Sequence, residues 1–189
     1  MANKYDVILA DPPWTYEGIQ DKWGAAAKFY KLMPTEDIYR LPILDLLTDK
    51  GVLFLWATGP KLDLAVNAIS EWGLWYRGVA FVWVKTSKEG LPWRARGVRP
   101  SIVKPLTEFV LVGSPVKKGR PMLLSDESVV QTVFARVQEH SAKPAEVSER
   151  IESLYPNAKR LELFARSPRK GWDSWGDEAP EVSRVKLAI

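Results

Sequence analysis

Residues 4–14 read KYDVILADPPW, an apolar run that stops at Asp11-Pro12-Pro13-Trp14. Residues 4–10 have the composition of a strand, and two adjacent prolines cannot donate the ladder hydrogen bonds that would continue it. The chain must leave its sheet at Asp11, so the loop after this strand is the first candidate site. Outward from it, Thr35 stands where a helix N-cap would. It opens a stretch over 35–47 in which Ile38, Leu41 and Leu44 recur at helical spacing, with Pro42 kinking the helix or splitting it in two. Residues 51–57, GVLFLWA, are almost unbroken apolar, as a strand covered on both faces requires. Residues 61–72 return to a helical period through Leu64, Ala65, Ala68 and Ile69.

Residues 78–85 and 107–113 read as further strands. Between them KTSKEGLPWRARGVRPSIVKPL, rich in Gly, Pro and Arg, reads as a long surface loop. Residues 114–142 are poorly patterned, with a strand expected near 129–134. Residues 143–154 predict a helix with Pro144 in its first turn and Val147, Ile151 and Leu154 on one face. RLELFA at 160–165 is the last expected strand, and the tail that follows, RSPRKGWDSWGDE, reads as polar and turn-rich. Strands alternating with helices predict one α/β domain over 1–189 with a mostly parallel sheet. Ligands of such a sheet sit beyond the carboxyl ends of its strands, where both Asp11 and Arg166 fall.

Composition narrows the function classes. A chain of 189 residues suits one core and one site. With 46% hydrophobic and 26% charged residues it has the balance of a soluble protein, and no apolar run approaches the ~20 residues of a membrane span. The N-terminus lacks the pattern of a signal peptide, so an intracellular, cytoplasmic location is expected. The absence of cysteine rules out disulfides and thiolate metal sites, and with His140 as the one histidine no metal site is expected. A net charge of +4 favours a polyanionic partner. Nine tryptophans offer flat faces for stacking as well as core volume.

Asp11 to Trp14 carry the sharpest chemistry. An exocyclic amine on a nucleobase is a poor nucleophile because its lone pair is delocalised into the ring. Two acceptors on the amine hydrogens favour the transition state in which that nitrogen becomes tetrahedral. The Asp11 carboxylate is one, and the Pro12 carbonyl, on a backbone stiffened by Pro13, is the other. Trp14 then supplies a wall for the base. The plainer alternative is a tight strand exit with Trp14 in the core.

DPPW at 11–14, Tyr30-x-x-Met33, LFLWATG at 53–59, EWG at 71–73, WVKT at 83–86, Glu108, SAKP at 141–144, RIESLYPNAKRLELFAR at 150–166 and the following GWDSWGDE occur in this order. In these blocks the chain resembles the N6-adenine methyltransferases named after the 70-kilodalton subunit of messenger-RNA adenosine methyltransferase. The resemblance implies a Rossmann-like methyltransferase fold in permuted order, catalytic strand first and cofactor-binding strand last, with S-adenosylmethionine as cofactor. It implies that Asp11, Pro12, Pro13 and Trp14 form the catalytic loop and that Tyr30, Trp83 and Glu108 line the acceptor pocket. Lys143 would hold the cofactor carboxylate, which suits a lysine beside a helix N-terminus. Arg166, Ser167, Pro168 and Arg169 would contact its ribose and tail, and Asp177 and Glu178 its adenosine end. The family often carries amides at those last two positions. The chain also lacks the Gly-aromatic-x-x-Arg approach to Glu108, and with ten residues before Asp11 the upstream strand of larger relatives is expected to be missing.

The loop over 85–105 holds Lys85, Lys88, Arg94, Arg96, Arg99 and Lys104 around Trp93. Cations beside an aromatic suit a phosphate backbone and an unstacked base, with Arg94, Arg96 and Arg99 as the candidate phosphate contacts. The expected function is methyl transfer to adenine N6 in nucleic acid, DNA ahead of RNA because the chain looks compact and without appended RNA-binding modules. Cytosine N4 methylation and a non-catalytic nucleic-acid-binding subunit stand as alternatives. A homo-oligomer is compatible with the sequence, and a membrane partner is not.

Overall fold

The computed structural model describes residues 4–14, 32–90, 103, 105–138, 142–179 and 181–186. Its strands are β1 (Tyr5–Ala10), β2 (Leu47–Thr58), β3 (Trp75–Thr86), β4 (Thr107–Ser114), β5 (Thr132–Arg136), β6 (Arg160–Leu163) and β7 (Trp172–Trp175). Helices α1 (Thr35–Tyr39), α2 (Ile43–Leu46), α3 (Leu62–Glu71) and α4 (Ala145–Leu154) connect them. The strands form one sheet in the order β5-β3-β4-β2-β1-β6-β7. β4 runs antiparallel to both its neighbours, and every other pair is parallel. This is a Rossmann-like α/β arrangement with one reversed strand.

The hydrophobic runs are explained by burial on both faces. Along β2, Leu53, Leu55 and Ala57 pack with α1, α2 and α3, including Ile38, Leu46 and Ile69. The alternate residues Val52, Phe54 and Trp56 pack with Val147 and Ile151 of α4. A strand that must satisfy two covering layers has no place for a polar face, hence the unbroken GVLFLWA.

Pro42 splits the stretch over 35–47 into two short helices, one of the two outcomes expected of it. Other expectations are corrected. Leu47 already belongs to β2, which is longer than 51–57. Thr35 is the first helical residue; Pro34 holds the N-cap position and no side chain caps the helix. α4 begins at Ala145 with Pro144 as its N-cap residue, so Lys143 lies just ahead of the helix. The poorly patterned stretch contains its strand at Thr132–Arg136, displaced from 129–134. The turn-rich tail holds β7, which pairs with β6 from Arg160↔Trp172 to Leu163↔Trp175. It is held by side-chain contacts outside the strand: Trp172 is buried and donates to Glu152 at 2.7 Å, and Ser174 bonds Ser183 at 2.7 Å.

The reversed direction of β4 matters for function. Its second residue, Glu108, pairs with Thr58 at the end of β2 and with Trp83 near the end of β3. A residue from the start of one strand thereby joins those at the carboxyl ends of the others. No helix among the described residues is long and apolar enough to cross a membrane.

Candidate active site

β1 delivers Asp11 to the carboxyl edge of the sheet directly after the buried Ala10. The next residues turn tightly. The Trp14 amide donates to the Pro12 carbonyl at 2.9 Å, and the Met33 amide donates to the Pro13 carbonyl at 3.0 Å. One lone pair of the Pro12 carbonyl is thus taken by the turn itself, leaving the second for another donor. The Trp14 ring goes into the core on the α1–α3 side, and its indole N–H is buried without a partner among the described residues. Trp14 therefore anchors the loop from below.

Lys143 links that loop to the rest of the site. Its ammonium donates to Asp11 Oδ2 at 2.8 Å and lies 3.4 Å from Glu108 Oε2. Glu108 Oε1 is in turn 2.6 Å from Lys85. The four charges alternate in sign in a chain Asp11, Lys143, Glu108, Lys85. Burial pushes the Glu108 carboxyl up, but Lys143 and then Lys85 outweigh it and hold it below the usual carboxylate range. Burial pushes Lys143 down, and Asp11 and Glu108 together carry it above the usual lysine value. Both groups are charged at neutral pH. Two aromatic faces complete the cluster: Lys143 lies 5.4 Å from the Trp56 ring and Lys85 5.0 Å from the Trp83 ring.

A cleft of about 460 Å³ opens beside this cluster, within the size range of small-ligand sites. Asp11, Lys143 and Trp56 form one part of its wall, and Phe164, Arg166, Ser167, Pro168, Arg169 and Glu178 another. Glu162 also lines it and pairs with Arg169 at 3.1 Å. Arg169 further donates to Ser148 and lies 5.9 Å from the Trp172 ring. Its guanidinium is thus held as part of the wall.

The structure brings together Asp11, Lys143, Glu108, Arg166, Ser167, Pro168, Arg169 and Glu178 at one end of the sheet. Asp177 is not among the cleft-lining residues; its carbonyl accepts from Arg184 at 3.4 Å. Trp83 is buried at 3% exposure, donates to the Ala135 carbonyl at 2.9 Å and packs edge-on against Trp56 at 6.3 Å. It is a core residue beneath the cluster. Lys85, counted above with the cations of the loop, is a β3 residue engaged by Glu108. Tyr30, Arg94, Arg96 and Arg99 lie outside the described residues.

Sequence reasoning missed Trp56 and Glu162. For Trp56 a signal existed: in GVLFLWA the even positions share a face, so Trp56 follows Val52 and Phe54 outward to the strand end. For Glu162 the signal was an acid between Leu161 and Leu163, both buried, which sets it on the opposite face of β6.

Comparison with known proteins gives a match to the MT-A70 family over residues 5–178. The chain is 33% identical over 196 residues to the type II methyltransferase M.MunI of Mycoplasma sp, with 94% of this chain and 79% of that protein covered. It is 32% identical over 184 residues to a probable N(6)-adenosine-methyltransferase MT-A70-like protein of Oryza sativa subsp. japonica, covering 96% of this chain and 24% of the relative. Against the N(6)-adenosine-methyltransferase catalytic subunit METTL3 of Homo sapiens the identity is 30% over 177 residues, covering 93% and 28%. The chain therefore spans most of M.MunI and about a quarter of the rice and human proteins.

Proposed function

The chain belongs to the MT-A70 family and is an N6-adenine methyltransferase, and from that premise we propose that it takes its methyl group from S-adenosylmethionine and acts on DNA in preference to RNA. The observation that carries the cofactor reading is the pairing of Asp11 with Lys143 on the cleft wall, 2.8 Å apart. The ammonium of Lys143 is a counter-charge for the carboxylate of an amino-acid group, and Asp11 Oδ2 holds it in place on the wall. The remaining wall fits the rest of such a molecule. Glu162 and Glu178 offer acceptors for ribose hydroxyls, and Phe164 offers an apolar face for a purine. Lys143 would hold the carboxylate, with Arg166 to Arg169 closing the far side.

S-adenosylmethionine, when bound, supplies a methyl group on a positively charged sulfonium. The chain's own residues prepare the acceptor. Lys143 occupies Asp11 Oδ2, so Oδ1 accepts from one adenine N–H, and the second lone pair of the Pro12 carbonyl accepts from the other. Both acceptors are fixed before the acceptor arrives, Pro12 by its ring and its bond to the Trp14 amide, so the site need not reorganise as positive charge grows on nitrogen. The proton that the methylated nitrogen sheds is taken up at Asp11 Oδ1. Glu108 and Lys85 hold Lys143 in place from the other side.

The acceptor base must leave its stack to reach this edge. Thr86 and Thr107, which bound the basic loop, both lie at the carboxyl edge of the sheet beside Glu108, which supports Arg94, Arg96 and Arg99 as phosphate contacts near the site. The longer match to M.MunI, over 79% of its length against about a quarter for the N(6)-adenosine methyltransferases, supports the reading of DNA ahead of RNA. The test is incubation with methyl-tritiated S-adenosylmethionine and matched single- and double-stranded DNA and RNA, followed by nucleoside separation. The reading expects label in N6-methyladenine, mostly from DNA. Label mainly in RNA reverses the preference, and label in N4-methylcytosine replaces the acceptor. A folded protein that binds nucleic acid and no S-adenosylmethionine is a non-catalytic subunit.

A further inference from the structure

At the end of β6, Phe164 has φ 62°, the one left-handed non-glycine residue among those described. An aromatic residue holds that conformation only when its surroundings impose it. The neighbouring strand packs directly against this turn. After the last ladder pair, Leu163↔Trp175, the two chains stay in contact: the Ala165 amide donates to the Trp175 carbonyl at 3.2 Å. Gly176 follows with φ 146°, and a Cβ built on it would stand 2.9 Å from Phe164 Cα, 3.3 Å from its carbonyl carbon and 3.4 Å from the Ala165 nitrogen. All three obstacles are backbone atoms, so no side-chain rotation relieves them. Both segments that meet here then run into the cleft wall, Phe164 to Arg169 on one side and Glu178 on the other.

We propose that Gly176 is a positioning residue for the cofactor half of the cleft: its bare backbone lets β7 close on Phe164, and that contact sets the left-handed turn that aims Phe164 and Arg166 into the site. The inference rests on the reading that this cleft takes S-adenosylmethionine. It concerns one side of the cleft only, because Asp11, Glu108 and Lys143 are carried by β1, β4 and the segment before α4.

The probes are S-adenosylmethionine, titrated by calorimetry, and an adenine-containing DNA oligonucleotide, titrated by fluorescence anisotropy without cofactor. Gly176→Ala should weaken S-adenosylmethionine binding at least tenfold and leave oligonucleotide affinity within twofold. Gly119→Ala is the control: it also replaces a glycine of positive φ, 74°, but with no atom within 4 Å of the added carbon, and should change neither affinity. Should Gly176→Ala not fold, Phe164→Asn and Phe164→Val decide the matter. Both remove the ring, but Asn tolerates positive φ and Val does not, so the Val protein should bind S-adenosylmethionine at least fivefold more weakly. Cofactor affinity within twofold of wild type in Gly176→Ala, equal losses for both probes, or equal affinities of the Asn and Val proteins would each overturn the proposal. If wild type itself binds no S-adenosylmethionine, the cofactor reading fails first, and that outcome is separately visible.

Discussion

Lys143 bonds Asp11 at 2.8 Å across 132 positions of sequence, and it is the only side chain among the described residues ion-paired with that carboxylate. The group proposed to receive the donor's carboxylate therefore rests on the group proposed to polarise the acceptor. Donor and acceptor sites share one charged contact.

Lys143→Ala should weaken S-adenosylmethionine binding by about ten- to a hundredfold, the loss of a charge-assisted hydrogen bond worth roughly 1.5–3 kcal/mol. Titration calorimetry measures it. A dissociation constant equal to that of wild type would put the cofactor carboxylate elsewhere.

The same cluster sets a pH dependence. The folded Glu108 carboxyl lies below its ordinary value of 4.5, so its contribution to stability is complete above that pH and is lost as pH falls through the folded value. Lys143 lies above its ordinary 10.5, so its contribution is complete below 10.5 and is lost as pH rises through the folded value. Neither group titrates near neutrality. Denaturant midpoints should thus show no neutral-range slope from this pair and an acid limb below about pH 4.5 that is shallower in Glu108→Gln. Equal acid limbs in the two proteins would show that Glu108 does not carry this contribution.

Trp83→Phe tests a residue that resemblance to the family assigned to the acceptor pocket. It removes the bond to the Ala135 carbonyl and should cost about 0.5–1.5 kcal/mol of stability, with the KM for the nucleic acid unchanged. A raised KM at unchanged stability would return Trp83 to the acceptor pocket.

Much of the fold was legible because the strands that build it are buried on both faces and cannot hide their composition. GVLFLWA and the run before Asp11 are of this kind. β7 was not legible, since WDSW puts its two tryptophans on opposite faces and its pairing with β6 depends on contacts made far along the chain. In the site, Asp11 could be read from the strand exit alone, whereas Lys143, Glu108 and Glu178 came from resemblance to a family. Their meeting depends on the reversed direction of β4 and on where α4 begins, neither of which is written in local pattern. The burial of Trp14 and Trp83 is a tertiary outcome too: an aromatic at a strand end reads the same whether it faces a ligand or a core.

The arginines at 94, 96 and 99 are proposed to contact phosphates. Neutralising all three should leave S-adenosylmethionine affinity intact and reduce the slope of log affinity against log salt by about 0.9 per lost contact on duplex, or ~0.7 on a single strand. Unrelated sequences should weaken in parallel, since phosphate contacts carry no base information. An unchanged slope in a salt titration would move the nucleic acid to another surface.

The central claim, that Asp11 drives methyl transfer to adenine N6, is tested most directly by single-turnover kinetics with mass-spectrometric identification of the nucleosides. Wild type and Asp11→Ala are compared at saturating S-adenosylmethionine on the same adenine-containing DNA. The expected result is N6-methyladenine from wild type and a rate roughly 10²–10³ lower from Asp11→Ala, equivalent to ~2.7–4 kcal/mol by analogy with removal of one preorganised oxyanion-hole donor. A folded Asp11→Ala protein that forms N6-methyladenine at the wild-type rate would contradict it.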